Sequence, residues 1–128
     1  MKPALAIGIV LPAAQVLACA PALHGDGVRT LEGRSYVLAW RGPVPLPLAQ
    51  FFAVDFAVCA RDGGAVESPR VDATMPAHGH GMNYRPNIVV LGDGRFRADG
   101  LLLHMPGQWQ LTFDVGGGET FGDTLVVD

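Results

Sequence analysis

The sequence predicts an all-β sandwich of about seven short strands, on three observations. Apolar and polar residues alternate with period two, most cleanly over residues 50–60 and 108–115. Turn residues recur every 8–12 positions, drawn from 17 glycines and 10 prolines in 128 residues. No stretch beyond the first twenty residues sustains a helical period.

Taken in order, residues 23–34 (LHGDGVRTLEGR) are polar and Gly-containing and read as an arm or loop. Ser35–Trp40 is a strand, and the prolines of 41–47 keep the following chain extended and outside a sheet. Residues 50–60 form the clearest strand. Phe52, Val54, Phe56 and Val58 share one face, and Phe51, Ala53, Asp55, Ala57 and Cys59 the other. Residues 70–74 follow as a short strand, with Val71 and Ala73 inward. The segment 75–87, broken by Pro76 and Pro86, is too irregular for a long element. Ile88–Leu91 and Arg95–Gly100 make a hairpin through Gly92-Asp93-Gly94. Leu101–Met105 leads to a turn at Pro106-Gly107. In 108–115, Trp109, Leu111, Phe113 and Val115 point inward, and 119–127 closes the sheet after Gly116-Gly117-Gly118. Seven strands so spaced describe an immunoglobulin-like sandwich.

The N-terminus is of another kind. Lys2 precedes an uncharged apolar run, residues 4–20, with small residues near 18–22. This is the pattern of a secretory signal, placed at 1–18, ahead of an arm at 19–34 and a sandwich domain at 35–128. The run is too short, and too interrupted by Pro12, for a membrane span. Three fates compete for Cys19. Val16-Leu17-Ala18-Cys19 fits a loose lipobox, which would anchor the protein to a membrane through a lipid on Cys19. Alternatively Cys19 pairs with Cys59, the other cysteine, as thiols in an oxidising compartment do. Cleavage at Ala20-Pro21-Ala22 would discard Cys19 altogether. The disulfide is the favoured reading, with a periplasmic location.

Charge excludes one class of partner. The chain is mildly acidic, net −3, with no basic stripe, and Lys2 is its sole lysine. Nucleic acid is therefore not an expected partner.

Chemistry concentrates in two patches. With Met1 set aside, the methionines are Met75, Met82 and Met105, and each lies within three residues of a histidine. His78 and His80 share the first patch and His104 the second, whereas His24 stands alone on the arm. Thioether and imidazole together select a soft metal, copper and Cu(I) above all, over magnesium, calcium or zinc. His78 and His80, two apart, share a face in an extended chain. Both patches fall where loops gather at a sandwich end, which brings His104 and Met105 to the first patch by topology. The competing reading is a structural loop, with methionines filling core and histidines bonding the turn. Tyr84 and Arg85 form an aromatic and cationic rim suited to partner docking. No Ser/His/Asp or Cys/His set is present, and no phosphate loop leads into a helix, so no enzyme is expected.

Two stretches also resemble a known family. Residues 71–82 (VDATMPAHGHGM), followed by Arg85-Pro86, resemble the signature loop of the YtkA-like/FixH-like family of small exported β-sandwich proteins. Residues 92–96 and 100–109 resemble the same family's second block, and the likeness covers roughly residues 45–128. The resemblance implies a copper-handling immunoglobulin-like fold, with Met75, His78, His80 and Met82 matching the first block and His104 and Met105 the second. It also implies a periplasmic or membrane partner concerned with redox or oxidase assembly. FixH proper is membrane-anchored, and this chain shows no anchor beyond its signal segment, so that specific role is not carried over. The expectation is a periplasmic copper carrier, buffer or donor. The alternative is a metal-free module that docks on a haem or oxidase-assembly partner.

Overall fold

The computed structural model describes residues 1–11 and 19–128. Residues 1–11 form no helix or strand, and the rest of the expected signal, with the lipobox residues Val16, Leu17 and Ala18, lies outside the described residues. Among the described residues, no helix is long and apolar enough to cross a membrane.

Among the described residues, nine strands make two antiparallel sheets. They are β1 (Arg29–Glu32), β2 (Tyr36–Arg41), β3 (Phe52–Ala60), β4 (Arg70–Met75), β5 (His80–Gly81), β6 (Asn87–Gly92), β7 (Arg95–Leu101), β8 (Gly107–Asp114) and β9 (Thr120–Val127). The first sheet has the order β1-β2-β3-β7-β6 and the second β5-β4-β8-β9. The all-β sandwich is therefore as expected, with two more strands than the alternation showed. Arg29–Glu32, expected within a loop, pairs with β2 from Arg29↔Trp40 to Glu32↔Val37. His80–Gly81, in the segment judged irregular, pairs with the end of β4. Neither short run has an alternation of its own, and each is made a strand by the neighbour it lies against.

The inward faces are those the period predicted. Trp109, Leu111, Phe113 and Val115 are all buried, as are Phe52, Val54, Phe56 and Val58. Within the first sheet Phe56 stacks on Phe96 at 5.2 Å, and across the two layers it meets Phe113 at 5.3 Å. Such aromatic pairs add about 0.5–1.5 kcal/mol each beyond their area. The β6–β7 hairpin turns through Asp93 and Gly94, both at positive φ, as a two-residue primed turn requires. On the outer face Asp55 and Arg97 are cross-strand partners, joined at 3.0 Å. The hydrogen bond and then the charge of Asp55 raise the pKa of the Arg97 guanidinium.

A buried carboxylate ties the two sheets together. Asp123 of β9 accepts from Arg29 Nη2 at 2.6 Å and from Trp40 Nε1 at 2.8 Å. The Arg29 guanidinium also lies over the Trp40 ring, 5.5 Å from its centroid. The carboxylate is thus paired and hydrogen-bonded, which offsets the cost of burying it, and the same cation covers the indole that donates to it.

Cys19 and Cys59 are joined in a disulfide, with Cα atoms 5.7 Å apart across 40 residues. It holds the arm on the outer face of the first sheet. There Leu23 is buried against Ala39 and Ala57, two small side chains that leave room for it. This explains why Ala57, on the outward face of β3 by its period, is fully buried.

Candidate metal centre

The site is built where β4 ends. Pro76–His78 form one turn of 3-10 helix, closed by Gly79, whose N–H donates to the Met75 and Pro76 carbonyls at 3.1 and 3.3 Å. Gly79 sits in the left-handed region (φ 65°, ψ 26°), which a glycine adopts without steric cost. The chain then returns beside β4, placing His80 opposite Met75. Residues directly opposite in an antiparallel pair project to the same side. Because Met75 projects into the core, His80 projects over the inner face at the open end of the sandwich.

The second patch meets it there. His104 lies between β7 and β8, and its ring centroid is 5.1 Å from that of His80. His78 stacks on His80 at 5.8 Å. Beneath them is Trp109 of β8, fully buried and edge-on to His80 at 5.9 Å and to His104 at 5.4 Å. Its indole N–H donates to the Met105 carbonyl at 3.0 Å, which fixes the backbone next to His104. The structure therefore brings the two histidine patches together, though they lie far apart in sequence.

The electrostatic feature of the cluster is a pair of missing partners. His80 Nδ1 and His104 Nδ1 are both buried and hydrogen-bond to nothing; Glu119 Oε1 is the third such atom among the described residues. A buried polar atom left unpaired costs about 1–3 kcal/mol, so two on adjacent rings call for a ligand. A neutral imidazole nitrogen with a free lone pair is a metal donor.

The spacing suits one ion. With a metal–nitrogen bond of about 2.0 Å, the centroid of a ligating imidazole lies roughly 3 Å from the ion. Two such rings are then at most about 6 Å apart, and His80 and His104, at 5.1 Å, meet that limit as a pair, as do His78 and His80, at 5.8 Å, as a separate pair. Among the described residues, no group of three or more His, Cys, Asp or Glu side chains is arranged to hold a metal. The imidazoles alone are thus an incomplete set, and thioether is the further donor type nearby.

The methionines are placed unequally. Met75 is 2% exposed and belongs to the core. Its methyl lies against Gly107, where an added Cβ would stand 2.7 Å away. Met82 and Met105 are half-buried and pack on the core, Met82 also lining a cleft with Arg70–Asp72. Met82 follows His80 by two residues and so shares its face where the chain is extended.

Tyr84 and Arg85 are exposed on the loop after β5. Sequence reasoning did not find their neighbour Phe51. It is 59% exposed and packs edge-on against Tyr84 at 4.9 Å. Phe51 falls on the outward face of its strand by period, and that was the available signal. Trp109 was expected as core only. It is core, and also the floor of the cluster. His24 is exposed on the arm, where its carbonyl accepts from Arg41 Nη1 at 3.3 Å.

The chain matches no known family model, curated protein or solved structure.

Proposed function

We propose that this is an exported, periplasmic copper-binding protein that carries, buffers or delivers Cu(I) through His80 and His104, with His78 and the thioethers of Met82 and Met105 completing the set. The observation that carries the reading is the pair of buried, unpartnered Nδ1 atoms on adjacent rings. The mix of imidazole with nearby thioether favours a soft ion over zinc. When bound, Cu(I) would act as a Lewis acid, accepting one lone pair from each donor. The protein's part is to hold both rings over Trp109 and to keep one side open, at His78, for ligand exchange. No turnover is assigned to it, and it is proposed as a non-enzyme. Relationship to the YtkA-like/FixH-like family is part of the same proposal and rests on residues 71–82 and 100–109. So is a redox or oxidase-assembly partner.

The disulfide is consistent with an oxidising, exported location. It also occupies the sulfur a lipid would need, so the proposed form is not anchored through Cys19.

A ligand of the native state raises its stability by RT ln(1 + [L]/Kd), about 4 kcal/mol at a thousandfold excess over Kd. Cu(I), delivered under reductant-free anaerobic conditions so that the disulfide survives, is therefore expected to raise the Tm. The double variant His80→Ala/His104→Ala is expected to show no rise. Superimposable melting curves with and without Cu(I) for the natural chain would refute the reading.

The second reading, a metal-free docking module, draws support from the exposed Phe51–Tyr84 pair. Aromatic side chains of this kind are enriched at interfaces. Under it, the purified protein carries no copper, and Tyr84→Ala abolishes partner capture while His80→Ala does not.

A further inference from the structure

We propose that the open edge of β4 is a docking site for an acidic, extended peptide segment of a partner protein, which adds to the second sheet as a strand in line with β5. The backbone direction comes first. The Met82 N–H donates to the Ala73 carbonyl at 3.2 Å, so Ala73 turns its polar groups away from β8 and toward the edge. Antiparallel pairs alternate between bonded and non-bonded, so Val71, two residues earlier, faces the same way. On that side β5 covers Thr74 and Met75, and among the described residues no strand covers Val71. The Ala73 N–H is taken up by its neighbour's carboxylate, Asp72 Oδ1, at 2.8 Å. With both polar groups of Ala73 engaged, by Asp72 and Met82, the ladder stops there and leaves Val71 as the edge-facing residue of β4 without a strand partner among the described residues.

The open edge faces a cleft of about 490 Å³, bounded by Arg70–Asp72, the loop Met82–Pro86 and Ile88 of β6. That volume is within the ordinary range of ligand clefts, about 300–1,000 Å³. Charge selects the occupant. Arg70 and Arg85 both line the cleft, and neither is in an ion pair among the described residues. Asp72 is the one opposing carboxylate there, and it is already engaged by Ala73. The cleft is thus locally cationic on a chain whose net charge is −3. Strand addition supplies main-chain hydrogen bonds, and flanking side chains supply the preference. Acidic side chains that alternate along an added strand would reach the guanidiniums. The binding mode needs no metal and stands apart from the copper proposal.

The test uses the metal-free, 15N-labelled chain from Cys19 to Asp128 with its disulfide intact. The probes are two blocked pentapeptides, one alternating glutamate with valine and one alternating lysine with valine. Expected is saturable binding of the glutamate peptide, with an amide shift and slowed exchange at Val71 and shifts at Ala73 and through Asn83–Arg85. The lysine peptide is expected to bind about tenfold more weakly or worse. The exposed double variant Arg70→Glu/Arg85→Glu is expected to invert that preference, with the remaining amide spectrum unchanged as the check on folding. The proposal is overturned by an absence of saturable shifts at millimolar peptide. Equal binding of the two peptides also overturns it, as do shifts centred instead on another sheet edge, such as Val90 and Leu91 of β6.

Discussion

Replacing both half-cystines, in the variant Cys19→Ser/Cys59→Ser, is expected to lower the unfolding free energy by about 4 kcal/mol. The figure follows from the chain-entropy cost of closing a loop of this length, the bond spanning 40 residues. For a domain near this size it corresponds to a fall in Tm on the order of 15 °C. The loss falls first on the arm. Leu23 is held against Ala39 and Ala57 in a small satellite cluster apart from the main core. Without the bond, little apolar area keeps residues 19–28 in place, while β1 remains paired to β2 and anchored through Arg29 to Asp123. Hydrogen exchange should therefore rise over the arm and leave β8 protected. Denaturant midpoints for the two proteins check the stability, and coincident midpoints would contradict the expectation.

The substitution Trp109→Ala is expected to cost about 3–5 kcal/mol, the range for deleting a large buried aromatic side chain. Trp109 is fully buried within the core cluster. Its removal also leaves the Met105 carbonyl without its indole donor and takes the floor from under His80 and His104. Trp109→Phe separates these effects. It keeps an aromatic floor and most of the packing, and gives up the hydrogen bond, for about 1 kcal/mol from that bond alone. If the indole positions the second patch, Trp109→Phe lowers the Cu(I)-induced rise in Tm by more than its small stability loss implies. Denaturant unfolding of both variants, each with and without Cu(I), reads the two contributions separately. An alanine variant as stable as the natural chain would show that Trp109 is not the core residue described here.

Much of this was legible in the chain itself, because the signals were local. Alternation at 50–60 and 108–115 identified the inward faces residue by residue, and Asp93-Gly94 identified its hairpin. The strands that were missed, Arg29–Glu32 and His80–Gly81, are strands by virtue of their neighbours. A four-residue and a two-residue run carry too few alternations to register. The burial of Asp123 was also hidden. Its position on β9 is inward by period, but the arginine and indole that make burial tolerable lie 94 and 83 residues away. At the candidate site, composition singled out the histidines and methionines, and topology suggested their convergence. What sequence could not supply was rank among the thioethers. Met75 follows the inward period of β4 directly into the core, whereas Met82 and Met105 lie on irregular chain where no period applies.

The central claim is that the unpartnered Nδ1 atoms of His80 and His104 are metal donors. Side-chain 15N spectra of the histidines, recorded with and without one equivalent of Cu(I), test it most directly. The account predicts that Nδ1 of both His80 and His104 shifts on Cu(I) addition, that Nε2 of the same rings changes little, and that His24 is unaffected. Unchanged Nδ1 resonances at His80 and His104 in the presence of Cu(I) would contradict it.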